Sequence, residues 1–251
     1  MDIKQEIELV SYLKNYSINK RGKLFNLYVS GSNLYGWNSK DSDLDIRGSI
    51  LLDKECFLGL NQPEEVWEVK NREEDMVLFE VKKMVNLALK GNCNILEEIN
   101  APQFYKTAEF VRLKQLINNA FGKRGIYNSY RGLAEFNYKR FIKQGRNTIK
   151  KYLYVFRGLM AGIYCMETGQ IQPNIDELNK KFKIKEVDEL LKIKRDGTEN
   201  IQINVDEGKL DILIKDLFDR LDNAYLKCKM PEVPEKEDIE EINKYIISLR
   251  L

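Results

Sequence analysis

The stretch from Leu27 to Leu51 reads LYVSGSNLYGWNSKDSDLDIRGSIL. A Gly-Ser turn directly follows a short apolar run, and two aspartates, Asp43 and Asp45, precede a second apolar run. Metal-dependent phosphate chemistry needs both features close together, because a glycine-rich turn binds phosphate and carboxylates bind the metal ion.

The aspartates belong to a pattern with a period of two. Asp43, Asp45 and Arg47 alternate with Leu44 and Ile46, which predicts a strand with both aspartates on one face. Two residues along a strand separate the carboxylates by about 7 Å. At that separation and an effective dielectric of ~20, their repulsion is about 2 kcal/mol. A divalent cation removes this repulsion, and all-oxygen ligation favours Mg²⁺ or Mn²⁺ over zinc. The alternative is a turn at residues 40–42 followed by two solvated aspartates.

The Gly-Ser turn is the second half of the pattern. The strand-forming run Leu24–Val29 ends at Ser30, and Gly31 lets the backbone approach a ligand because it has no Cβ atom. Ser32 is predicted to cap a short helix over residues 33–37, whose first N–H groups and the Ser32 hydroxyl would form an anion site. Taken alone, the same residues fit an ordinary strand-to-helix turn.

The two halves together resemble a known signature. Gly31-Ser32-Asn33-Leu34-Tyr35-Gly36, a loop, and then Ser42-Asp43-Leu44-Asp45 are similar to the motif of the DNA polymerase β-like nucleotidyltransferase superfamily. The form of the motif resembles one branch in particular, the predicted nucleotidyltransferases of bacteria and their phages, over residues 24–100 and less closely over 129–170. It implies an α+β fold, with a small mixed β-sheet nucleotidyltransferase domain with flanking helices over residues 1–105. An α-helical domain over residues 106–251 would complete the nucleotide cleft.

The resemblance also implies a third carboxylate on a strand beside the aspartate-bearing strand. Asp75 is favoured, because in relatives an aspartate leads this strand into a helix of the form that follows here, and Glu80 is the alternative. Asp43, Asp45 and Asp75 would then hold two Mg²⁺ (or Mn²⁺) ions, with Gly31 and Ser32 on the phosphates of a nucleoside triphosphate (NTP).

A long helix near residues 148–167 is the last element that the resemblance covers. Relatives carry a K-x-x-x-H-x-x-R pattern there. In this chain Lys150 and Arg157 match the lysine and the arginine, and Tyr154 stands in place of the histidine. A lysine and an arginine on one helix face suit triphosphate binding, which assigns Lys150 and Arg157 to the nucleotide site. A solvated cationic stripe is the other explanation.

Composition excludes several classes of function. The chain has no histidine, which removes histidine-based triads, His-ligated zinc and histidine phosphotransfer. Its four cysteines form no C-x-x-C pair, so a zinc ribbon or redox motif is not expected. The net charge is +2, no apolar run reaches the ~18 residues of a membrane span, and the N-terminus lacks a signal-peptide core. We therefore expect a cytoplasmic protein.

The implied function is metal-dependent transfer of a nucleoside monophosphate from an NTP to an acceptor hydroxyl, with release of pyrophosphate. The acceptor is left open between an RNA end such as that of tRNA, a protein and a small molecule. Two basic clusters interleaved with aromatic residues are compatible with an RNA acceptor, although the usual explanation of such clusters is a solvated helix face. The first contains Lys139, Arg140, Lys143 and Arg146, and the second Lys180, Lys181, Lys183 and Lys185. The alternative function is a catalytically silent or antitoxin-like NTP-binding module.

Overall fold

The computed structural model of the protein describes residues 3–39, 42–69, 75–146, 148–197 and 206–251. The turn expected at residues 40–42 therefore lies mostly outside the described residues. The helices and strands in chain order are α1 (Ile3–Asn19), β1 (Gly22–Val29), α2 (Gly31–Tyr35), β2 (Asp45–Leu52), β3 (Val66–Val69), β4 (Asp75–Glu80), α3 (Val81–Leu89), α4 (Cys93–Asn100), β5 (Gln103–Lys106), α5 (Ala108–Ala120), α6 (Lys123–Asn137), α7 (Ile149–Thr168), α8 (Ile175–Phe182), α9 (Lys185–Asp196), α10 (Glu207–Lys227) and α11 (Lys236–Ser248).

The strands form one mixed sheet in the order β3-β4-β2-β1-β5. Strands β2 and β4 run parallel, and the other neighbouring pairs are antiparallel. Parallel neighbours need a crossover connection, and here the chain makes it through β3 at the edge of the sheet. A small mixed sheet followed by helices confirms the predicted α+β class.

Each face of the sheet is covered by a separate apolar cluster. On one face, Leu9 and Leu13 of α1 pack with Leu24, Ile46 and other strand residues. On the other face, Phe25 of β1 belongs to the same continuous core as α3 to α11. The helices after β5 thus share their core with the sheet, and the predicted division at residues 105 and 106 falls at the end of β5. That division into domains stays a prediction.

The long helix α7 has clear sequence signals at both ends. The Thr148 hydroxyl accepts a hydrogen bond from the Lys151 N–H group, which is a side-chain N-cap. Gly169 ends the helix in the left-handed conformation, at φ 71°. Nearly every side chain from Tyr152 to Met166 is buried, so α7 is the central helix of the second half. Among the described helices, none combines the length and the apolar character needed to span a membrane.

Two glycines allow the turn before α4 to touch α6. Gly91 has φ +76°, and a Cβ atom there would lie 2.4 Å from the Gly125 carbonyl carbon. A Cβ atom on Gly125 would lie 2.4 Å from the Lys90 carbonyl oxygen. Because both obstacles are backbone atoms, this approach requires glycine on both sides.

Replacing Gly125 by Ala should destabilise the protein by ~1–3 kcal/mol, because the added methyl group overpacks a backbone contact. Gly132→Ala in the same helix is the matched control, since nothing lies within 4 Å of the position that its Cβ atom would occupy. That change should stabilise the protein by ~0.5–1 kcal/mol through helix propensity. Urea unfolding of both variants checks the pair, and equal effects at the two positions would contradict the importance of the backbone contact.

Candidate active site

The sheet register brings Asp45 and Asp75 side by side. Asp45 is the first residue of β2, Asp75 is the first residue of β4, and the two are Cα partners in the parallel pair. Residues at matching positions on neighbouring strands point to the same face of a sheet. The structure therefore places these two aspartates on adjacent strands, as predicted.

Arg47 bridges the two carboxylates from β2. Its Nη2 atom lies 3.3 Å from Asp45 Oδ1 and 3.0 Å from Asp75 Oδ2. Its Nη1 atom donates to the carbonyl oxygens of Ile46 at 2.9 Å and Asp75 at 2.7 Å. The guanidinium group thus compensates the repulsion that two adjacent carboxylates create.

The carboxyl group of Asp45 is half-buried, and its pKa is raised above the ordinary value. Desolvation is the largest cause, and the negative charges of Asp75 and Asp43 add to it, whereas Arg47 acts in the opposite direction. A carboxylate in this environment is stabilised by additional positive charge.

The Gly-Ser turn packs directly against Asp45. The Ser30 N–H group donates to the Asp45 carbonyl oxygen at 2.8 Å. Gly31 has φ +61°, and a Cβ atom there would lie 1.9 Å from Asp45 Oδ2. The prediction that Ser32 caps the following helix is wrong, because α2 already begins at Gly31 and Ser30 is the N-cap residue. Ser32 lies within the first turn of this five-residue helix.

Asp43 differs from its predicted placement. It precedes β2, which begins at Asp45, and its side chain is exposed. The prediction of a strand carrying both aspartates on one face is therefore wrong for Asp43, because antiparallel pairing of β2 with β1 extends only to Ile46. Among the described residues, no three side chains of His, Cys, Asp or Glu converge closely enough to hold a metal ion.

Glu80 lies at the other end of β4, five residues beyond Asp75 and thus about 16 Å along the strand. It is fully buried and pairs with Arg250 at 2.5 Å. Its second oxygen accepts the Lys82 N–H group at 2.5 Å as the N-cap of α3. Glu80 is thus engaged in structural contacts away from the site, whereas Asp75 adjoins Asp45.

The predicted nucleotide-binding cations of α7 occupy unequal positions. Lys150 lies half-buried in the first turn of α7. Arg157 is fully buried and pairs with the equally buried Glu97 at 2.5 Å. Its guanidinium carbon also lies 3.8 Å from the centre of the Tyr35 ring in α2. The Arg157 side chain therefore points into the protein interior and is not exposed to solvent.

Sequence reasoning missed Glu98, a residue of α4 that contacts the Gly-Ser turn. Its carboxylate accepts a hydrogen bond from the Tyr28 hydroxyl at 2.8 Å, and the Ser30 hydroxyl lies 3.5 Å away. Burial raises the pKa of Glu98 to about 7, and the charges of Arg47 and Glu97 act on it in opposite directions. The sequence offered no direct signal for it, because a second glutamate at the end of a helical segment is unremarkable by itself.

A cleft of about 710 Å³ opens beside the Gly-Ser turn. Its walls come from α2, the segment before β2, the start of β5 and the segment before α8, and they include Asn33, Leu44, Gln103 and Asn174. This volume is in the range of small-molecule sites. The cleft could hold a small molecule beside α2, but its lining includes neither Asp45 nor Asp75.

Replacing Glu98 by Gln should remove a pH dependence of stability. The folded-state pKa of about 7 exceeds the ordinary value of 4.5, so the folded protein binds this proton more tightly than the unfolded chain. The wild type should therefore lose stability relative to the variant as the pH rises from 4.5 to 7, by about 3 kcal/mol in total. Urea unfolding at pH 5 and pH 8, both without metal, measures the difference. A difference that does not change with pH would contradict the assignment.

Replacing Arg157 by Met should destabilise the fold by ~3–5 kcal/mol, because it leaves the Glu97 carboxylate buried without its partner. The double variant Glu97→Leu/Arg157→Met should recover much of that loss. Arg112→Met is the matched control, since Arg112 pairs with Glu241 at the surface and its loss should cost at most ~1 kcal/mol. Thermal and urea unfolding test the series, and a fully stable Arg157→Met single variant would count against the buried pair.

Comparison with known proteins places these features in a family. Uncharacterized protein YcgL of Bacillus subtilis is 26% identical over 251 residues, covering 96% of this chain and 94% of that protein. Uncharacterized protein MJ0002 of Methanocaldococcus jannaschii is 33% identical over 149 residues, covering 57% of this chain and 60% of that protein, which is less than two thirds of its length. A nucleotidyltransferase-like protein of known structure from Exiguobacterium sibiricum aligns over 98% of this chain and 89% of its own, at 12% identity and a TM-score of 0.31.

The family comparison covers nearly the whole chain. The model of the RlaP family, described as an RNA repair pathway DNA polymerase beta family, matches residues 3–248. This range contains the Gly-Ser turn, both strands that carry Asp45 and Asp75, and all helices of the second half. The resemblance that the motifs indicated is thereby confirmed, and the chain belongs to the RlaP family.

Proposed function

We propose that this protein is a metal-dependent nucleotidyltransferase that moves a nucleoside monophosphate from an NTP to an acceptor hydroxyl and releases pyrophosphate. The observation that carries the proposal is the contact of the Gly31 turn with Asp45, which in turn lies beside Asp75 on the parallel strand. A glycine turn suited to phosphate and two carboxylates at the same end of neighbouring strands are groups that this chemistry uses. Membership of a polymerase β family supports the same reaction class.

Asp45 and Asp75 are the proposed metal ligands of the sheet, and Asp43 is the proposed third ligand from the preceding segment. The donor set fits Mg²⁺ or Mn²⁺, because it consists of carboxylate oxygens that already require positive charge from Arg47. Two bound ions would stabilise the charge that develops on the transferred phosphoryl group and on the leaving pyrophosphate. In that state Arg47 would give up its carboxylate contacts.

The remaining residues bind and orient the triphosphate in this proposal. Gly31 and Ser32 contact the phosphates, and Lys150 adds positive charge from the start of α7. Arg157 holds Tyr35, and with it α2, from inside the protein. The acceptor hydroxyl loses its proton to solvent, and its oxygen forms a bond to the α-phosphorus as the bond to pyrophosphate breaks, with the two oxygens in line.

A second candidate function is an NTP-binding module without catalysis. The observation that favours it is that, in the described part of the chain, three metal-ligating side chains are not gathered in one place. Such a protein would bind an NTP with the same turn and would never release pyrophosphate. Binding and turnover, measured on the same preparation, separate the two functions.

Nucleotidyl transfer should fall at least ~100-fold in Asp45→Asn and in Asp75→Asn, because each change removes a carboxylate that would hold the metal ion. Glu80→Gln is the matched control on the same strand, and its folded fraction should keep wild-type activity. The assay follows each α-³²P-labelled NTP with Mg²⁺ or Mn²⁺, alone and with total RNA or cell lysate. If Asp75→Asn turned over normally and Glu80→Gln did not, the third carboxylate would be Glu80.

A further inference from the structure

We propose that the surface formed by Phe136, Arg140, Phe141, Arg146 and Lys151, the aromatic-basic face, binds a single-stranded RNA. The inference rests on the proposed function, since it names the class of acceptor that the transferase would use. It assigns a role to residues that lie outside the aspartate site.

Charge is the first observation. Residues 136–151 contain six cations and no acidic residue, namely Lys139, Arg140, Lys143, Arg146, Lys150 and Lys151. Lys139 pairs with Glu135, and Lys143 pairs with Asp211. Arg140, Arg146 and Lys151 have no carboxylate partner among the described residues. The aromatic-basic face therefore keeps uncompensated positive charge, which attracts phosphate groups.

Exposed aromatic rings are the second observation. The Phe136 side chain is 49% exposed although it is large and apolar. The Arg140 guanidinium carbon lies 5.2 Å from the Phe136 ring centre, and the Lys151 Nζ atom lies 3.8 Å from the Phe141 ring centre. Rings and cations interleaved on one surface are what unpaired bases and their phosphates require.

Backbone geometry gathers these side chains. A π-helical turn over Tyr138–Ile142 follows α6. Its wider turn brings residues five apart close together, and the Phe136 and Phe141 rings meet at 5.8 Å in an edge-to-face contact. Such turns are rare and occur frequently at functional sites.

The aromatic-basic face is connected to the proposed phosphate turn through Tyr154. The Lys151 Nζ atom lies 5.9 Å from the Tyr154 ring centre. On its other side, the Tyr154 ring lies 5.1 Å from the Trp37 ring and 6.1 Å from the Tyr35 ring, and Tyr35 belongs to α2. Because Trp37 and Tyr35 are buried, these contacts connect the aromatic-basic face to α2 through the interior of the protein.

The second basic cluster of the sequence lacks these properties. Lys180 pairs with Glu177 at 2.6 Å, Lys181 with Glu167 at 2.5 Å, and Lys185 with Glu189 at 3.5 Å. These pairs compensate most of its charge. The structure therefore distinguishes two clusters that were equivalent in the sequence. The family description, which names RNA repair, agrees with RNA as the ligand of the uncompensated cluster.

The test uses fluorescence anisotropy of a labelled single-stranded oligoribonucleotide of about 12 nucleotides, titrated with the full chain at several salt concentrations. Arg140→Ala/Arg146→Ala should weaken binding at least tenfold and lower the slope of log K against log salt by ~1.4, which is about 0.7 for each lost phosphate contact. Phe136→Ala should weaken binding with an unchanged salt slope, and Phe136→Trp should preserve it. Lys180→Ala/Lys185→Ala is the matched control and should bind like the wild type.

Two results would overturn the proposal. One is wild-type RNA affinity in both the arginine variant and Phe136→Ala, with thermal melts showing that each is folded. The other is an equal loss in the Lys180→Ala/Lys185→Ala control, which would indicate nonspecific attraction. Asp45→Asn should bind RNA like the wild type but transfer no nucleotide. RNA binding without transfer by the wild type would thus refute the proposed reaction and leave the surface standing, whereas transfer without RNA binding would do the reverse.

Discussion

The parallel pairing of β2 with β4 is the constraint on which the site depends. It sets Asp45 opposite Asp75, and two carboxylates at that spacing on adjacent strands need a cation between them. Arg47 supplies the cation from the same strand, two residues along, so its side chain emerges on the same face. One register thereby fixes both acids and the base that compensates them, and a slip of one residue would turn Asp45 to the opposite face.

The Gly-Ser turn depends on the same carboxylate. Two independent features require glycine at position 31. Its φ is positive, and Asp45 fills the space where a Cβ atom would lie. Behind the turn, the buried pair of Arg157 and Glu97 holds the Tyr35 ring against the helical core. Removing two charges from water has a large desolvation penalty, which is offset only when the two groups keep a good pairing geometry. The buried pair therefore favours one arrangement of its neighbours. The turn is thus constrained from the sheet side and from the helix side.

Local patterns in the sequence predicted the elements that bring the main site residues together. Alternation and glycine placement indicated β1, β2 and the turn between them, because strands and turns follow from residue types a few positions apart. The strand that carries Asp75 was indicated by the family resemblance. The position of Asp43 was beyond such reasoning, since an alternating pattern continues past the point where pairing with β1 stops. Glu98 was missed because its surroundings come from Tyr28 and Ser30, which are about 70 residues earlier in the chain.

Arg157 shows most clearly why helical spacing alone misleads. Lys150 and Arg157 share a face of α7 by periodicity, but α7 passes from the surface into the core along its length. At its first turn the helix carries Lys151 beside the Phe141 ring, and two turns later the same helix carries Arg157 in a fully buried ion pair. One rigid helix therefore spans the distance from the proposed RNA face to the support of the phosphate turn. In that arrangement an RNA strand and a triphosphate would be positioned against each other by α7 itself, so the acceptor would not have to be placed by a mobile loop.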